Sequence, residues 1–439
     1  MDKNMAASLI NKLTSYTRHY AVVNIMGSKQ GVTRFANSEI SQNINQSDLT
    51  VALTLHDGKK EVTCVTNVIS DEGLKKLAQD TEVLLAASPS GDFEIMPLTI
   101  SKCPPTTKVE NDGKLAELYS AQGRAEAIKE GVSAMGAGFA AAGALILETK
   151  IFGYGNSASG EPLFASFDNV QFNTVVTGGA GSSGGGESIS HRASGLDIAG
   201  AFAQAKQRAV MGADPITLEG GEYTVILTPQ AVADLVFYIT WSLNAKRVSD
   251  GFSFCTGEPT GEQIFGNNIN ICDDVSDPRV FPWHFDYEGH KRVRLPLVEK
   301  GVVANLLYDN KTAAGTSTGH AITNKGHGGY SLHTVAAGGD SSIEEMVKST
   351  DKGLFIAEFH YSNFVNPSAL QVTGLTRNGT FLIENGNITR AVNTMRFTQN
   401  LKEAFNDISD LSSDLSVVNH FGGWACVMPA AKIGRFCFP

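Results

Sequence analysis

Ten histidines and six cysteines are the side chains of this sequence best suited to hold a metal or to act as nucleophiles. A helical zinc site needs two His about one turn apart, with a Glu beside the first as general base. The His stand at 19, 56, 191, 284, 290, 320, 327, 333, 360 and 420, and no two have that spacing. Two His-bearing segments still merit a chemical reading. In HFDYEGH, His284 and His290 bracket Asp286 and Glu288. That is either a small metal-binding turn or a solvated hairpin tip. In TGHAITNKGHGGYSLH, His320, His327 and His333 share a Gly-rich loop. Loop His often contact ligands, so these three, with His284 and His290, are the candidates for the wall of a ligand cleft. The Cys at 64, 103, 255, 272, 426 and 437 form no C-x-x-C pair, which removes the zinc-knuckle and dithiol readings. Cys255, Cys272 and Cys426 read as buried small hydrophobes. There is no G-x-S-x-G elbow, and the Gly-rich run 178–186 lacks the Lys of a phosphate-binding loop. From the residues alone, no catalytic group and no metal ligand is assigned.

The elements that must position these residues change character along the chain. Residues 3–17 are amphipathic, and 21–43 and 48–67 are β-rich runs split by Gly turns. Asp57-Gly58 marks a hairpin. A helix capped by Asp71 extends to about Ser88 and ends at SPSGDFEIMP, where Pro89, Gly91 and Pro97 break it. A helical body at 115–143 leads into two strands. The stretch TGGAGSSGGGES (177–188) reads as a flexible loop between strands, followed by a helix at 197–211. A strand, EYTVILTP, opens the second half, and a helix at 229–247 follows with Val232, Leu235, Val236, Ile239 and Leu243 on its core face. Short strands with Gly and Asn turns fill the rest. The expected fold is α+β, with an N-terminal α/β layered domain (1–214) and a mostly antiparallel, barrel-like or sandwich C-terminal domain (215–439).

Bulk composition narrows the partners. The chain has 439 residues and a formal net charge of -10. A nucleic-acid binder needs a basic face to displace counterions, and no Lys/Arg run exceeds two residues. Nucleic acid is therefore not expected as a partner. The apolar stretch Gly131–Leu147 is too short, and too rich in Gly and Ala, to span a bilayer. The first residues, MDKNMAASLINKL, lack a signal-length apolar run. A cytoplasmic protein with reduced thiols is expected.

Three stretches, taken together, resemble the TldD/PmbA family. They are FDYEGHKRVRLPLVEKGVVANLLYDNKTAAGTSTGHA (285–321), the IENG hairpin within NPSALQVTGLTRNGTFLIENGNITRAVNTMRFTQNL (366–401), and RFANSEISQNINQSDLTV (34–51) with SPSGDFEIMPL (88–98). Their order and spacing agree along nearly the whole chain. The resemblance implies a cytosolic two-chain complex that degrades or processes unfolded or leader peptides, and it carries the family's older label, modulator of DNA gyrase. In that complex a TldD subunit bears an H-E-x-x-x-H zinc motif on a helix, and a TldE/PmbA subunit bears no metal. The metal helix of the family would follow strand EYTVILTP. Here that helix, QAVADLVFYITWSLNAKR (230–247), contains no His. The family's site also uses a Cys near the C-terminus, and neither Cys426 nor Cys437 stands in the expected Cys-Gly setting. The resemblance thus implies a TldE/PmbA-like subunit with no cofactor of its own, paired as a dimer with a zinc-bearing TldD-like partner or with itself. It would hold the peptide along a sheet edge, with hairpin 374–393 and loop 315–334 as cleft walls. A bland reading makes Gly379, Asn385 and Gly386 plain turn residues. Two alternatives remain open: a self-sufficient metallopeptidase with an unrecognised site, and a non-enzymatic homodimeric peptide-binding protein.

Overall fold

The computed structural model describes residues 1–439 except 92–99, 101–102, 104–112, 159, 258–259, 314–316, 324–325 and 421–423. Most of the family-like stretch 88–98, and parts of loop 315–334, therefore lie outside the described residues. Helix α1 (Lys3–Thr14) leads into β1 (Tyr20–Ala36), β2 (Glu39–Asp57) and β3 (Lys60–Thr66). Helices α2 (Asp71–Ala87), α3 (Gly113–Tyr119) and α4 (Ala121–Met135) follow, then β4 (Ala140–Asn156), β5 (Leu163–Thr177), β6 (Ser183–Ser190) and α5 (Ile198–Met211). The six strands form one sheet in the order β3-β2-β1-β4-β5-β6. Every pairing in it is antiparallel. The helices therefore cover an antiparallel sheet and are not βαβ crossovers.

Period-two alternation explains how this sheet serves two neighbours. Val170, Phe172 and Val176 of β5 pack with Ile128 of α4 and Phe202 of α5. Leu163, Ala165 and Phe167 of the same strand face the other way, onto Phe281, Trp283, Phe285 and Leu332 from the second half of the chain. Some local expectations need adjusting. Ser70, not Asp71, caps α2, with its hydroxyl accepting from Gly73 N at 3.2 Å. The body expected at 115–143 is broken at Ser120, which caps α4. The hairpin at Asp57–Lys60 forms as expected.

The second half holds β7 (Gly221–Leu227), α6 (Pro229–Ser242), α7 (Ala245–Ser249), β8 (Ile271–Asp273), β9 (Leu295–Glu299), β10 (Val302–Val303) and β11 (Thr334–Ala336). Next come α8 (Ile343–Lys348), β12 (Lys352–Asn366), β13 (Gln371–Glu384), β14 (Asn387–Ala391), β15 (Arg396–Asn400), α9 (Leu401–Asn406), β16 (Ile408–Asn419) and β17 (Ala425–Phe438). Its strands form an 11-stranded sheet in the order β10-β9-β8-β11-β17-β7-β12-β13-β14, with β15 on β13 and β16 on β17. This is the expected α+β architecture with a mostly antiparallel second half; of the barrel-like and sandwich forms, a closed barrel is not what forms, since among the described residues the sheet ends in β10 and β14. It is also mixed: β11 runs parallel to β17, and β7 to β12. Helix α6 lies on this sheet, with Val232, Leu235, Val236 and Ile239 buried in the main core. The helix expected at 229–247 stops at Ser242, because Asn244 caps α7 and also donates to the carbonyls of His327 and Gly329 at 2.8 and 2.9 Å.

Among the described residues, no helix is long and apolar enough to cross a membrane.

Candidate functional site

The stretch read as a flexible loop contains strand β6, SGGGESIS. Three consecutive glycines weaken a strand unless another backbone must come close. Here it does. A Cβ on Gly184 would lie 2.2 Å from the Ala205 carbonyl oxygen, and one on Gly186 2.1 Å from that of Ala201. Helix α5 therefore lies directly on one face of β6. The intervening residues, Gly185 and Glu187, face the second half of the chain.

This places a cleft of about 560 Å³ between the two sheets. Its sides are β6 and α5, the segment Ser416–Val418 of β16, the start of α6 and Glu358 of β12. Among the described residues β6 pairs with β5 only, and β16 pairs with β17 and is bridged on its other edge by Ser341 at Ser412, so that both are sheet edges and the 416–418 part of β16 faces the cleft. Arg208 of α5 reaches the β6 edge and donates from Nη1 to Gly185 O at 2.8 Å. The Gly185 carbonyl thus points away from β5. With period two, the backbone N–H and C=O of Glu187 share that outward edge.

Charge in the cleft is concentrated on Glu187, Glu358 and Arg208. The Asn419 N–H donates to Glu187 Oε1 at 3.4 Å. Burial raises the Glu187 carboxyl to about 7, and Glu358 adds to the rise while Arg208 opposes it. Glu358 is also raised by burial, offset by hydrogen bonding from Asn378 and by Arg208. Asn378 (φ 50) and Gly379 (φ 140) form a bulge opposite Ala357, where the β12–β13 register shifts. The bulge re-aims a side chain: Asn378 Nδ2 bonds Glu358 Oε1, and its Oδ1 accepts from Ser183 at 3.2 Å. Hairpin 374–393 thus supports a cleft residue, Glu358, through Asn378, but none of its residues lines the cleft. Asn385 and Gly386, by contrast, are the two turn residues between the paired Glu384 and Asn387.

At the mouth of α6, Thr228 accepts from Ala231 N and donates to Ala357 O at 2.5 Å. Gln230 Nε2 donates to Asn419 O at 2.7 Å, and Asn419 Nδ2 to Gln171 Oε1 at 3.0 Å. These bonds fix both amides. They leave Gln230 Oε1 and Asn419 Oδ1 buried with no partner among the described residues.

The residues of α6 do not fit a zinc ion. The helix carries no His, Cys or Glu, and its one acid, Asp234, is 6% exposed. It carries an aromatic layer instead. Phe237 stacks on His420 with ring centroids 4.9 Å apart and 19° between planes, and the Arg247 guanidinium lies 4.4 Å over Trp241. Among the described residues, no group of three or more His, Cys, Asp or Glu is arranged to hold a metal.

The buried His420 supports a pH prediction. Burial lowers its pKa to about 4, against about 6.5 in an unfolded chain. A group depressed in the fold contributes stability that is fully present above the unfolded value and lost as pH falls towards the folded one. Linkage puts the loss at about 3 kcal/mol between pH 7 and pH 4. His420→Phe keeps the ring stack and removes the titration. Its urea midpoint is expected to fall clearly less than that of the parent across this window. Equal falls would show that His420 is not the acid-sensitive group.

The five candidate His occupy other places. His320 and His333 meet at Asp273, with His320 Nε2 3.2 Å and His333 Nδ1 3.5 Å from Asp273 Oδ1, all three 0% exposed. His290 Nε2 is 2.7 Å from Asn310 Oδ1. His284, half-buried, accepts from Arg292 N through its carbonyl, and the His327 ring is exposed. The turn between His284 and His290 is not a solvated tip, since Asp286 is 0% and Glu288 7% exposed. None of the five lines the cleft between β6 and β16. Cys255, Cys272 and Cys426 are buried, and burial raises all three thiols.

Comparison with known proteins follows the same outline. Residues 220–436 match the family profile described as the PmbA/TldA metallopeptidase C-terminal domain. A 140-residue stretch is 37% identical to an uncharacterized protein of Methanocaldococcus jannaschii, covering 31% of this chain and 30% of that one. Another, of 154 residues, is 27% identical to Metalloprotease PmbA of Escherichia coli O157:H7, covering 34% of this chain and 32% of that one. These alignments span about a third of each curated relative. Among solved structures, TldE from Thermococcus kodakarensis has a TM-score of 0.87 at 18% identity, over 98% of both chains. A Thermotoga maritima protein named as a candidate modulator of a DNA gyrase has a TM-score of 0.83 at 17% identity, over 99% of this chain and 100% of that one. At such identities the structural likeness concerns the fold. With the family-like stretches and the domain match, the chain belongs to the TldD/PmbA family.

Proposed function

We propose that this chain is the zinc-free, peptide-holding subunit of a two-chain cytoplasmic peptidase. An unfolded or leader peptide would lie as an added strand in the cleft between β6 and β16, at the junction of an N-terminal (1–214) and a C-terminal (215–439) domain. A TldD-like partner would supply the zinc ion and the general base. The observation that carries the reading is the cleft itself: in a metallopeptidase-family domain, the start of α6 (Thr228–Gln230) meets the edges of β6 and β16, while the rest of the helix carries Phe237 and Trp241 in an aromatic layer and no metal-ligand set. Free edges offer rows of backbone donors and acceptors that bind peptides with little regard for sequence. The names of the relatives, Metalloprotease PmbA and TldE, agree with a peptidase setting. The net charge of -10 favours a peptide over a nucleic acid.

The test combines the purified chain with a TldD-like protein carrying H-E-x-x-x-H. Zinc content, oligomeric state and cleavage of an unfolded peptide are measured for each chain and for the mixture. The expected outcome is a zinc-free chain that forms a mixed dimer and raises the partner's cleavage rate at least tenfold. A partner equally active without this chain, or one zinc ion bound per copy of this chain alone, would sink the subunit reading.

A further inference from the structure

We infer that the cleft between β6 and β16 takes a primary ammonium group of the bound peptide, held between Glu187 and Glu358. This rests on the peptide-holding reading and adds a substrate class to it.

The argument is an inventory of donors and acceptors. The free capacity of the cleft consists of acceptors. Glu187 and Glu358 together receive one backbone N–H and one amide of Asn378, while two carboxylates offer about eight lone-pair sites. Gln230, which lines the cleft, has a buried Oε1 with no donor among the described residues, and its amide nitrogen is engaged by Asn419 O, so it cannot be flipped to supply one. The donors are few. Arg208 has one N–H tied to Gly185 O and is the one cation lining the cleft among the described residues; it acts on both carboxyls, and Arg377, the cross-strand neighbour of Glu358 outside the cleft, acts on Glu358. Asp197 also lines the cleft, but its Oδ1 is spent on capping α5 through Gly200 N at 2.8 Å.

A site with surplus acceptors, and two buried carboxyls that a cation would hold in the charged form, matches a ligand group with several donors, no acceptor and one positive charge. An ammonium has three donors and no acceptor. Buried carboxylates are costly unless paired, and burial, with Glu358 nearby, raises the Glu187 carboxyl against the opposing Asn419 N–H and Arg208. The position also suits a peptide lying along the edge, because the backbone of Glu187 sits on the outward side of β6 while its side chain enters the cleft. Two sources fit: the α-amino end of the peptide, or a lysine side chain.

The test uses three peptides of one unstructured sequence, labelled at the C-terminus. One has a free amino end and norleucine in place of lysine. One is acetylated and contains lysine. One is acetylated and contains norleucine. Binding to the full chain is followed by fluorescence anisotropy, with Glu187→Gln and Glu358→Gln as near-isosteric variants whose folding is checked by circular dichroism. At least one ammonium-bearing peptide is expected to bind about tenfold more tightly than the neutral one, and which of the two does so names the source. Each Gln variant is expected to erase most of that difference. If the three peptides bind the parent chain equally, or if folded Glu187→Gln and Glu358→Gln keep the full difference, the ammonium inference falls and the peptide reading stands. If no peptide binds, the peptide reading falls first.

Discussion

Alanine at both Gly184 and Gly186 is expected to destabilise the protein by about 4 kcal/mol, at roughly 1–3 kcal/mol for each forced overlap. Each new methyl would meet backbone. At 184 it would lie 2.2 Å from Ala205 O and 2.5 Å from Ala209 N, and at 186 it would lie 2.1 Å from Ala201 O. No rotamer change relieves a clash with a carbonyl, so helix α5 must move off β6. Arg208 would move with it, and the cleft would lose the cation that faces Glu187 and Glu358. Strand preference alone forecasts the opposite sign, because Ala is favoured over Gly in an element interior by roughly 0.5–1 kcal/mol. Gly185→Ala is the stability control. Its Cβ would touch the Glu358 carboxylate oxygens and Asn378 Cβ at 3.2–3.3 Å, a contact that small side-chain adjustments absorb. Urea midpoints decide the matter: a double variant no less stable than Gly185→Ala would refute the close-contact account of β6.

The same glycines show what the sequence could reveal and what it could not. Where side chains alternate or turns are marked, the reading was sound. The Asp57-Gly58 hairpin, the apolar face of α6 and the Asn385-Gly386 turn stand where the chain announces them. Strand β6 reads as a loop in sequence because glycine has no side chain to alternate, so a strand defined by the approach of a helix gives no periodic signal. The spacing of Gly184 and Gly186, two apart and followed by Glu187, was the one available hint. The cleft residues were illegible for another reason. Glu187, Arg208 and Glu358 are scattered over the chain, as is Asn378, which bonds Glu358, and each alone reads as solvated surface. Alternating strands point to a mostly antiparallel sheet but do not reveal the parallel pairings of β7 with β12 and β11 with β17, nor whether the sheet closes.

Asp273→Ala is expected to cost about 3–5 kcal/mol, the range for removing one member of a buried ionic network. Asp273 is 0% exposed. Its Oδ2 accepts from Leu332 N at 2.8 Å, His333 N at 2.9 Å and Ser331 Oγ at 3.0 Å. Its Oδ1 faces the imidazoles of His320 and His333. Burial opposes its charge, but the two His outweigh burial and hold the carboxyl well below its usual range. Arg292, wholly buried 5.0 Å over the Trp283 ring, also relies on Asp273 for compensation. Truncation would leave three donors, two imidazoles and a guanidinium short of a partner. Asp273→Asn keeps one acceptor for the backbone donors and should lose roughly half as much.

The pH dependence separates this account from a simple cavity. Burial lowers His333, and Asp273 partly restores it. The stability lent by a depressed His is present above about 6.5 and lost as pH falls. Without Asp273 the imidazole is depressed further, so Asp273→Ala should lose more stability than the parent between pH 7 and pH 5. Parallel losses across that range would mean that the carboxylate acts through its backbone bonds alone. The consequence reaches the cleft in either case. Leu332, held by Asp273 through its N–H, packs with Phe281 and Trp283 against Phe152 and Phe167 on the outer face of the first sheet. That contact sets one sheet against the other. A side chain outside the cleft thereby fixes the separation of its two walls.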